Sequence, residues 1–389
     1  AITVVTAGTC AITATKAGDT NFLSASAGAT VTIAKATQAA LSASGSSSST
    51  TFGSASVITV NASGGSGTGA LSYSSNTASV CSVNASTGVI TVISAGTCEI
   101  KVTRAATVNY NQATTTTNVA IAKANQTAIN LTASSTNVTY GDGAALSVSY
   151  TGGSGTGLFG YASVNTSVCS VNGSGDVTVI TAGTCSITVS RAGDINYNER
   201  TATATINIAK ADQVQLSASA GDLVFTPAHP TSQISLTGGT GTGNLTYSVS
   251  ASSAGICAVS IGGLVTSLQA GDCVINISKD ADANYLANTT SVSVKIAKGV
   301  QEALAPTGDT EITFSDSGAA TSQILVTGGS GTGSTSYSIA NSSVGVCNVS
   351  ANGLIAALTA GTCVVDITKG SDAYFTDAAA TFTVTIAKA

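Results

Sequence analysis

One spacing constrains this chain more than any other. The phrase Ala-Gly-Thr/Asp-Cys returns with its cysteine at Cys10, Cys98, Cys185, Cys273 and Cys363, in steps of 88, 87, 88 and 90 residues. Ile-Ala-Lys ends at Lys35, Lys123, Lys210, Lys298 and Lys388 with the same steps. Gly-Gly-Ser/Thr-Gly-Thr-Gly starts at Gly64, Gly152, Gly238 and Gly328. A sequence that repeats itself at this pitch folds as a tandem array of like units, not around one large core. The phrases divide it into a partial repeat, 1–36, and four full ones, 37–124, 125–211, 212–299 and 300–389.

Within a repeat the pattern has period two. Cys98, Ile100 and Val102 alternate with polar or small residues, as do Cys185, Ile187, Val189 and Cys273, Ile275, Ile277. Alternate residues of a strand share a face, so each cysteine should lie on a buried face with two aliphatics. In 212–299 the runs Gln213–Ser217, Gln233–Thr237, Leu245–Val249, Ala258–Ser260, Leu264–Leu268, Cys273–Ser278 and Thr290–Ala297 read as strands. About seven short strands per repeat, separated by Gly- or Asn/Ser-rich turns and without helical periodicity, predict a β-sandwich. The fold class is therefore all-β, in tandem sandwiches of about 88 residues.

The nine cysteines divide by repeat into Cys81/Cys98, Cys169/Cys185, Cys257/Cys273 and Cys347/Cys363, with Cys10 left over. Separations are 17, 16, 16 and 16 residues. Zinc would need four N/S ligands, and each repeat offers two thiols with no nearby histidine. A redox pair would normally read Cys-x-x-Cys. Structural disulfides remain, each stabilising by roughly 3 kcal/mol in the chain-entropy model, and they imply an oxidising, extracellular compartment. Cys10 occupies a second-cysteine position, which leads to the expectation that residues 1–389 are a window on a longer array.

Other recurring positions have a structural and a sharper reading. Phe22, Tyr110, Tyr197, Tyr285 and Phe375 lie twelve residues after the second cysteines, and Tyr73, Tyr161, Tyr247 and Tyr337 four after the glycine phrases. Core packing is expected, in preference to a carbohydrate-stacking platform. The glycine phrase opens a strand, not a helix, so it reads as a turn and not a phosphate loop. Lys16, Arg104, Arg191, Lys279 and Lys369 precede Asp19, Asp194, Asp282 and Asp372 by three residues in four of five copies. A turn with a weak surface ion pair is expected there; calcium would want six to eight oxygens, and no Asp-x-Asp-x-Asp cluster appears. A Lys–Asn isopeptide bond would need a recurring acid that the repeats lack. His229 is the only histidine, so Ser–His catalysis in each repeat is excluded. No recurring carboxylate pair suggests glycoside hydrolysis. No catalytic residue, metal site or cofactor is expected, and the chain is read as a non-enzyme.

Charged residues make up 8% of the chain and the net charge is −5, with neither sign in a block. That disfavours nucleic acid and anionic lipid as partners. No apolar run is long enough to span a membrane as a helix.

Gly-Gly-Ser-Gly-Thr-Gly, Val-Cys-Ser-Val at 80–83 and 168–171, Ala-Gly-Thr-Cys and Ile-Ala-Lys-Ala together resemble the bacterial immunoglobulin-like repeats (Big or MBG type) of very large surface and secreted proteins. The resemblance covers essentially the whole chain and implies stalks, adhesins or fibres. It departs from the antibody pattern, for there is no core tryptophan and the cysteines are too close to bridge the usual strands.

The junctions carry no Pro- or Gly-rich hinge, so neighbouring units are expected to dock end to end as a semi-rigid rod, roughly 40 Å per unit. Runs such as Thr115–Ile121 and Thr290–Ile296 have few charges to guard a sheet edge and could pair with another chain. The functional expectation is a cell-surface fibre or filament with self-association between chains. The alternative is the rigid stalk of a bacterial adhesin whose binding domain lies outside this window; a host or surface glycan is the partner considered beside self-association.

Overall fold

The computed structural model describes residues 1–316 and 320–389. Residues 1–138 with 142–208 form one compact unit, and Thr139–Gly141 with Ala209–Ala389 a second.

The partial repeat is a two-stranded antiparallel hairpin, β1 (Gly8–Lys16) and β2 (Ala25–Ile33). The first full sandwich contains β3 (Leu41–Gly45), β4 (Ser49–Thr51), β5 (Ile58–Gly64), β6 (Leu71–Ser75), β7 (Cys81–Val83), β8 (Val89–Val92), β9 (Gly96–Arg104) and β10 (Ala113–Ala122). One sheet has the order β3-β5-β8-β7 and the other β4-β10-β9-β6. The first strand is thus split: β3 pairs antiparallel with β5, and β4 crosses to the other sheet to pair parallel with β10. This is the two-sheet, Greek-key-like arrangement of immunoglobulin-like sandwiches. Residues 129–209 repeat the same two strand orders.

The expected faces are present. Along β9, Cys98, Ile100 and Val102 are fully buried while Thr97 is exposed. Across the sandwich they meet Leu41, Ile58, Val60 and Ile90 from the other sheet. Cys81 belongs to one sheet and Cys98 to the other, so the disulfide crosses the core, with Cα atoms 5.6 Å apart. The pairs Cys169–Cys185, Cys257–Cys273 and Cys347–Cys363 do the same. Cys10, on β1, is a free thiol.

In 212–299 one expected strand is largely absent, the expected strand Gln233–Thr237 is broken at Ile234, and one strand is present that was not expected. Gln213–Ser217 is not a strand: pairing begins only at Ser217, because the Gln213 side chain holds this entry segment by other bonds described below. The parallel strand Leu223–Val224, two residues long, has no periodicity to announce it. In 212–389 the second strand is also interrupted, at Ile234 and Ile324, so one sheet divides into two- and three-stranded parts.

Candidate functional site

The recurring phrases converge at one end of each sandwich, in a cradle around the glycine loop. The first two glycines of the phrase adopt φ of 89° and 74° at Gly64 and Gly65, a region open to glycine at little cost. Such a loop exposes backbone groups that need partners, and three side chains supply them.

A buried glutamine stands three residues after each of the first four Ile-Ala-Lys phrases: Gln38, Gln126, Gln213 and Gln301. Gln126 Oε1 accepts from the Gly155 amide at 3.4 Å, and its Nε2 donates to the Asn198 carbonyl at 2.9 Å and the Ala192 carbonyl at 3.3 Å. Gln213 binds Gly241, Leu286 and Asp280 in the same way, and Gln301 binds Gly331, Thr376 and Gly370. The basic residue closes the loop from the other side. Arg104 Nη1 donates to the carbonyls of Gly67 and Gly69, Arg191 to those of Gly153 and Gly155, and Lys369 to Gly329. Arg191 also lies over the Phe159 ring, 4.5 Å from its centroid.

The third side chain is the recurring aspartate. Asp194 Oδ2 accepts from the Thr156 amide at 2.6 Å and the Thr156 hydroxyl at 3.1 Å; Oδ1 accepts from the amides of Asn196 and Tyr197, both at 2.8 Å. Asp282 and Asp372 repeat this with Thr242 and Thr332. The expected ion pair with the preceding base is replaced by a latch onto backbone amides. The amide of Thr156 is the largest cause that holds the Asp194 carboxyl at about 2, and the same bonds depress Asp282 and Asp372 still further. The first sandwich has Thr107 in the aspartate's place and lacks the latch.

Both tyrosine series are packing residues. A Cβ added at Gly88, where φ is 71°, would meet the Tyr73 ring at 3.3 Å; Gly175, Gly263 and Gly353 are covered likewise by Tyr161, Tyr247 and Tyr337. The Tyr161 hydroxyl is pushed up by burial and by Tyr150. In the other series, Tyr197 meets Phe52 edge-on at 5.7 Å, Tyr285 meets Tyr140 at 5.7 Å, and Phe375 meets Phe225 at 5.5 Å. Phe22, on the hairpin, is 75% exposed.

The turns that carry Tyr110, Tyr197, Tyr285 and Phe375 each form a joint with the residue that ends the preceding repeat. Ala36, the residue after Lys35, donates its amide to the Asn109 carbonyl and accepts from the Asn111 amide, both at 2.9 Å. Ala124, Ala211 and Gly299 make the same paired bonds to the turns around Tyr197, Tyr285 and Phe375. The linking residue is therefore knitted into the following sandwich. In addition, Asn109 Oδ1 accepts from Ala7 and Asn196 Oδ1 from Ala95, each at 2.9 Å. These alanines open the Ala-Gly-Thr-Cys phrase. Tyr374 replaces the asparagine in the last repeat and packs on Phe225 at 5.0 Å.

The lone His229 has φ of 51°, the only positive value outside glycine among the described residues, and its Nδ1 lies 2.7 Å from the Ser267 carbonyl. No helix among the described residues is long and apolar enough to cross a membrane.

No family model matches the chain, and no curated protein does. The chain is similar to solved structures of other tandem arrays. The protocadherin gammaB4 extracellular domain is 14% identical with a TM-score of 0.30, over 97% of this chain and 72% of that one. Drosophila N-cadherin EC1-4 is 10% identical with a TM-score of 0.28, over 83% and 93%. Sidekick-1 immunoglobulin domains 1–5 are 12% identical with a TM-score of 0.28, over 94% and 84%.

Proposed function

We propose that this chain is a structural component of an extracellular, bacterial cell-surface fibre, in which the sandwiches serve as joined spacers and not as catalysts. The observation that carries this reading is the joint. Four linking residues, Ala36, Ala124, Ala211 and Gly299, are each bonded by two backbone hydrogen bonds into the next turn, which leaves the linker no free length. A chain of independently acting binding modules would gain from flexible linkers; one that transmits position or tension gains from joints of this kind. Gln38, Gln126, Gln213 and Gln301, the three aspartates, and Arg104, Arg191 and Lys369 are occupied in holding the loop. The four buried disulfides fit an oxidising, extracellular compartment. Self-association along weakly charged sheet edges would assemble such chains laterally.

Electron microscopy of the native material tests the proposal. A continuous filament with regular contacts between repeats is the expected result. Isolated stalks, each bearing a separate head, would overturn it in favour of an adhesin stalk and transfer the search for a binding activity to that head.

A further inference from the structure

We infer that two copies of this chain join end to end, the last sandwich of one seating on the Phe22 turn of the other through the same contacts that link successive repeats within the chain. This deepens the fibre reading and rests on it for the setting in which copies meet; it adds an axial contact to the lateral one.

A joint has a giving and a receiving half. The giving half has three parts: the linking residue after Ile-Ala-Lys, the alanine that opens Ala-Gly-Thr/Asp-Cys, and a ring, Phe52, Tyr140 or Phe225. The backbone fixes where each ring sits. The Phe52 amide donates to the Ala122 carbonyl at 2.9 Å, Tyr140 to Ala209 at 2.9 Å and Phe225 to Ala297 at 2.8 Å. The receiving half is a turn. Between the first two full sandwiches, Ala124 donates to the Asn196 carbonyl and accepts from the Asn198 amide, both at 2.9 Å. Ala95 donates to Asn196 Oδ1, and the Phe52 ring meets Tyr197 edge-on.

The last sandwich carries all three parts of a giving half. Ala389 follows Ile386, Ala387 and Lys388, Ala360 opens the fifth Ala-Gly-Thr-Cys, and Phe314 donates its amide to the Ala387 carbonyl at 2.9 Å. Phe314 is half-buried and Ala389 exposed. The hairpin carries the receiving half. Asn21, Phe22 and Leu23 follow Cys10 at the spacing with which Asn196, Tyr197 and Asn198 follow Cys185. Their turn is already folded. Asp19 donates its amide to the Phe22 carbonyl at 2.9 Å, and its Oδ1 accepts from the Asn21 and Phe22 amides at 2.8 and 3.0 Å, as Asp194 does from Asn196 and Tyr197. Yet the surface that a joint covers is open: Phe22 is 75% exposed and Leu23 96%, against 6% for Phe375.

Seated on that turn, Ala389 of one copy donates to the Asn21 carbonyl of the other and accepts from its Leu23 amide. The Ala360 amide donates to Asn21 Oδ1, and the Phe314 ring meets the Phe22 ring. The turn is folded before the partner arrives, so little ordering cost opposes the contact. The two halves differ, so the contact is heterologous: a joined pair still presents one open half at each end, and growth continues unless the rotation closes a ring. A joint of this size is small beside stable protein–protein interfaces. It therefore forms at high concentration, or where lateral pairing already holds copies together and raises their effective concentration.

Sedimentation velocity of the whole chain at rising concentration tests this, in a Cys10→Ser background so that thiol coupling cannot mimic association. An open-ended series of dimers, trimers and larger species is expected. Phe22→Ser disables the receiving half, and Ala389→Pro, which removes an amide, the giving half. Both positions are exposed, and unchanged circular dichroism and thermal midpoints establish that the variants fold. Each variant alone should associate at least tenfold more weakly than the parent. Their equimolar mixture keeps one intact joint, the Ala389 end of F22S on the Phe22 turn of A389P, and should form dimers at near the parent strength and nothing larger. A parent that stays monomeric, association untouched by either substitution, or a mixture no stronger than its components would overturn the inference. None of those outcomes bears on the lateral edges, so the fibre reading is left to microscopy. Micrographs without fibres beside a measured joint would sink that reading and not this one.

Discussion

The Asp194 carboxylate accepts four hydrogen bonds from a loop and a turn that are otherwise distant in sequence. Its folded-state pKa, about 2, lies below its ordinary value of 3.8. The contribution to stability is therefore complete above the ordinary value and is lost as the pH falls from there towards 2. Thermal unfolding followed from about pH 5 downward should show this loss, and Asp194→Asn with Asp282→Asn and Asp372→Asn should flatten it. Thr107→Asp should add the same acid-sensitive component to the first sandwich, seen as a higher midpoint at neutral pH that disappears in acid. The glutamine is the stricter test of the cradle. Gln126→Ala removes the partners of the Gly155 amide and of the Asn198 and Ala192 carbonyls. A cost of about 2–4 kcal/mol in chemical denaturation is expected, because buried groups are left unsatisfied.

At the scale of the element, the turn before β8 depends on Gly88, where an added Cβ would lie 2.5 Å from the Val60 carbonyl oxygen and 3.3 Å from the Tyr73 ring. Gly88→Ala should destabilise by about 1–3 kcal/mol through the positive φ and the Val60 carbonyl together, measured by denaturant unfolding, and Tyr73→Ala in the same background should not recover the loss, because the clash is with backbone. Much of this level was legible in the sequence. The cysteine and its two aliphatics fall on one face because a strand has period two, and the glycine phrase reads as a turn because no helix follows it. The cradle was not legible. Gln213 begins a run that looks like a strand, and the signal that could have found it, a glutamine three residues after four of the five Ile-Ala-Lys phrases, is a spacing without a chemistry until the loop is folded over it. Asp194 and Thr156 are 38 residues apart, so the bond between them has no local trace. Leu223–Val224 is too short for any periodicity to show.

For the molecule as a whole, the joints decide whether sandwiches move independently. Asn196→Ala removes the acceptor for the Ala95 amide but touches neither core. Hydrogen exchange at Ala95 should quicken at least tenfold while the amides of β9 and β17 (Gly183–Arg191) keep their protection; equal loosening of both strands would mean that the side chain serves the sandwich and not the joint. Charge sets a second global property. With a net charge of −5 and a pI near 4.7, solubility should pass through a minimum close to that pH, read by light scattering.

The joints at Ala36, Ala124 and Ala211 use one residue type, one turn and one pair of backbone bonds. A copy of the gene segment inserted or lost between any two of them would meet compatible neighbours on both sides, with no interface to reinvent. The product could then be lengthened or shortened in whole increments. Reach then changes only in whole steps, and the altered last joint, with Gly299 and Tyr374, marks a boundary such exchange would not cross as freely.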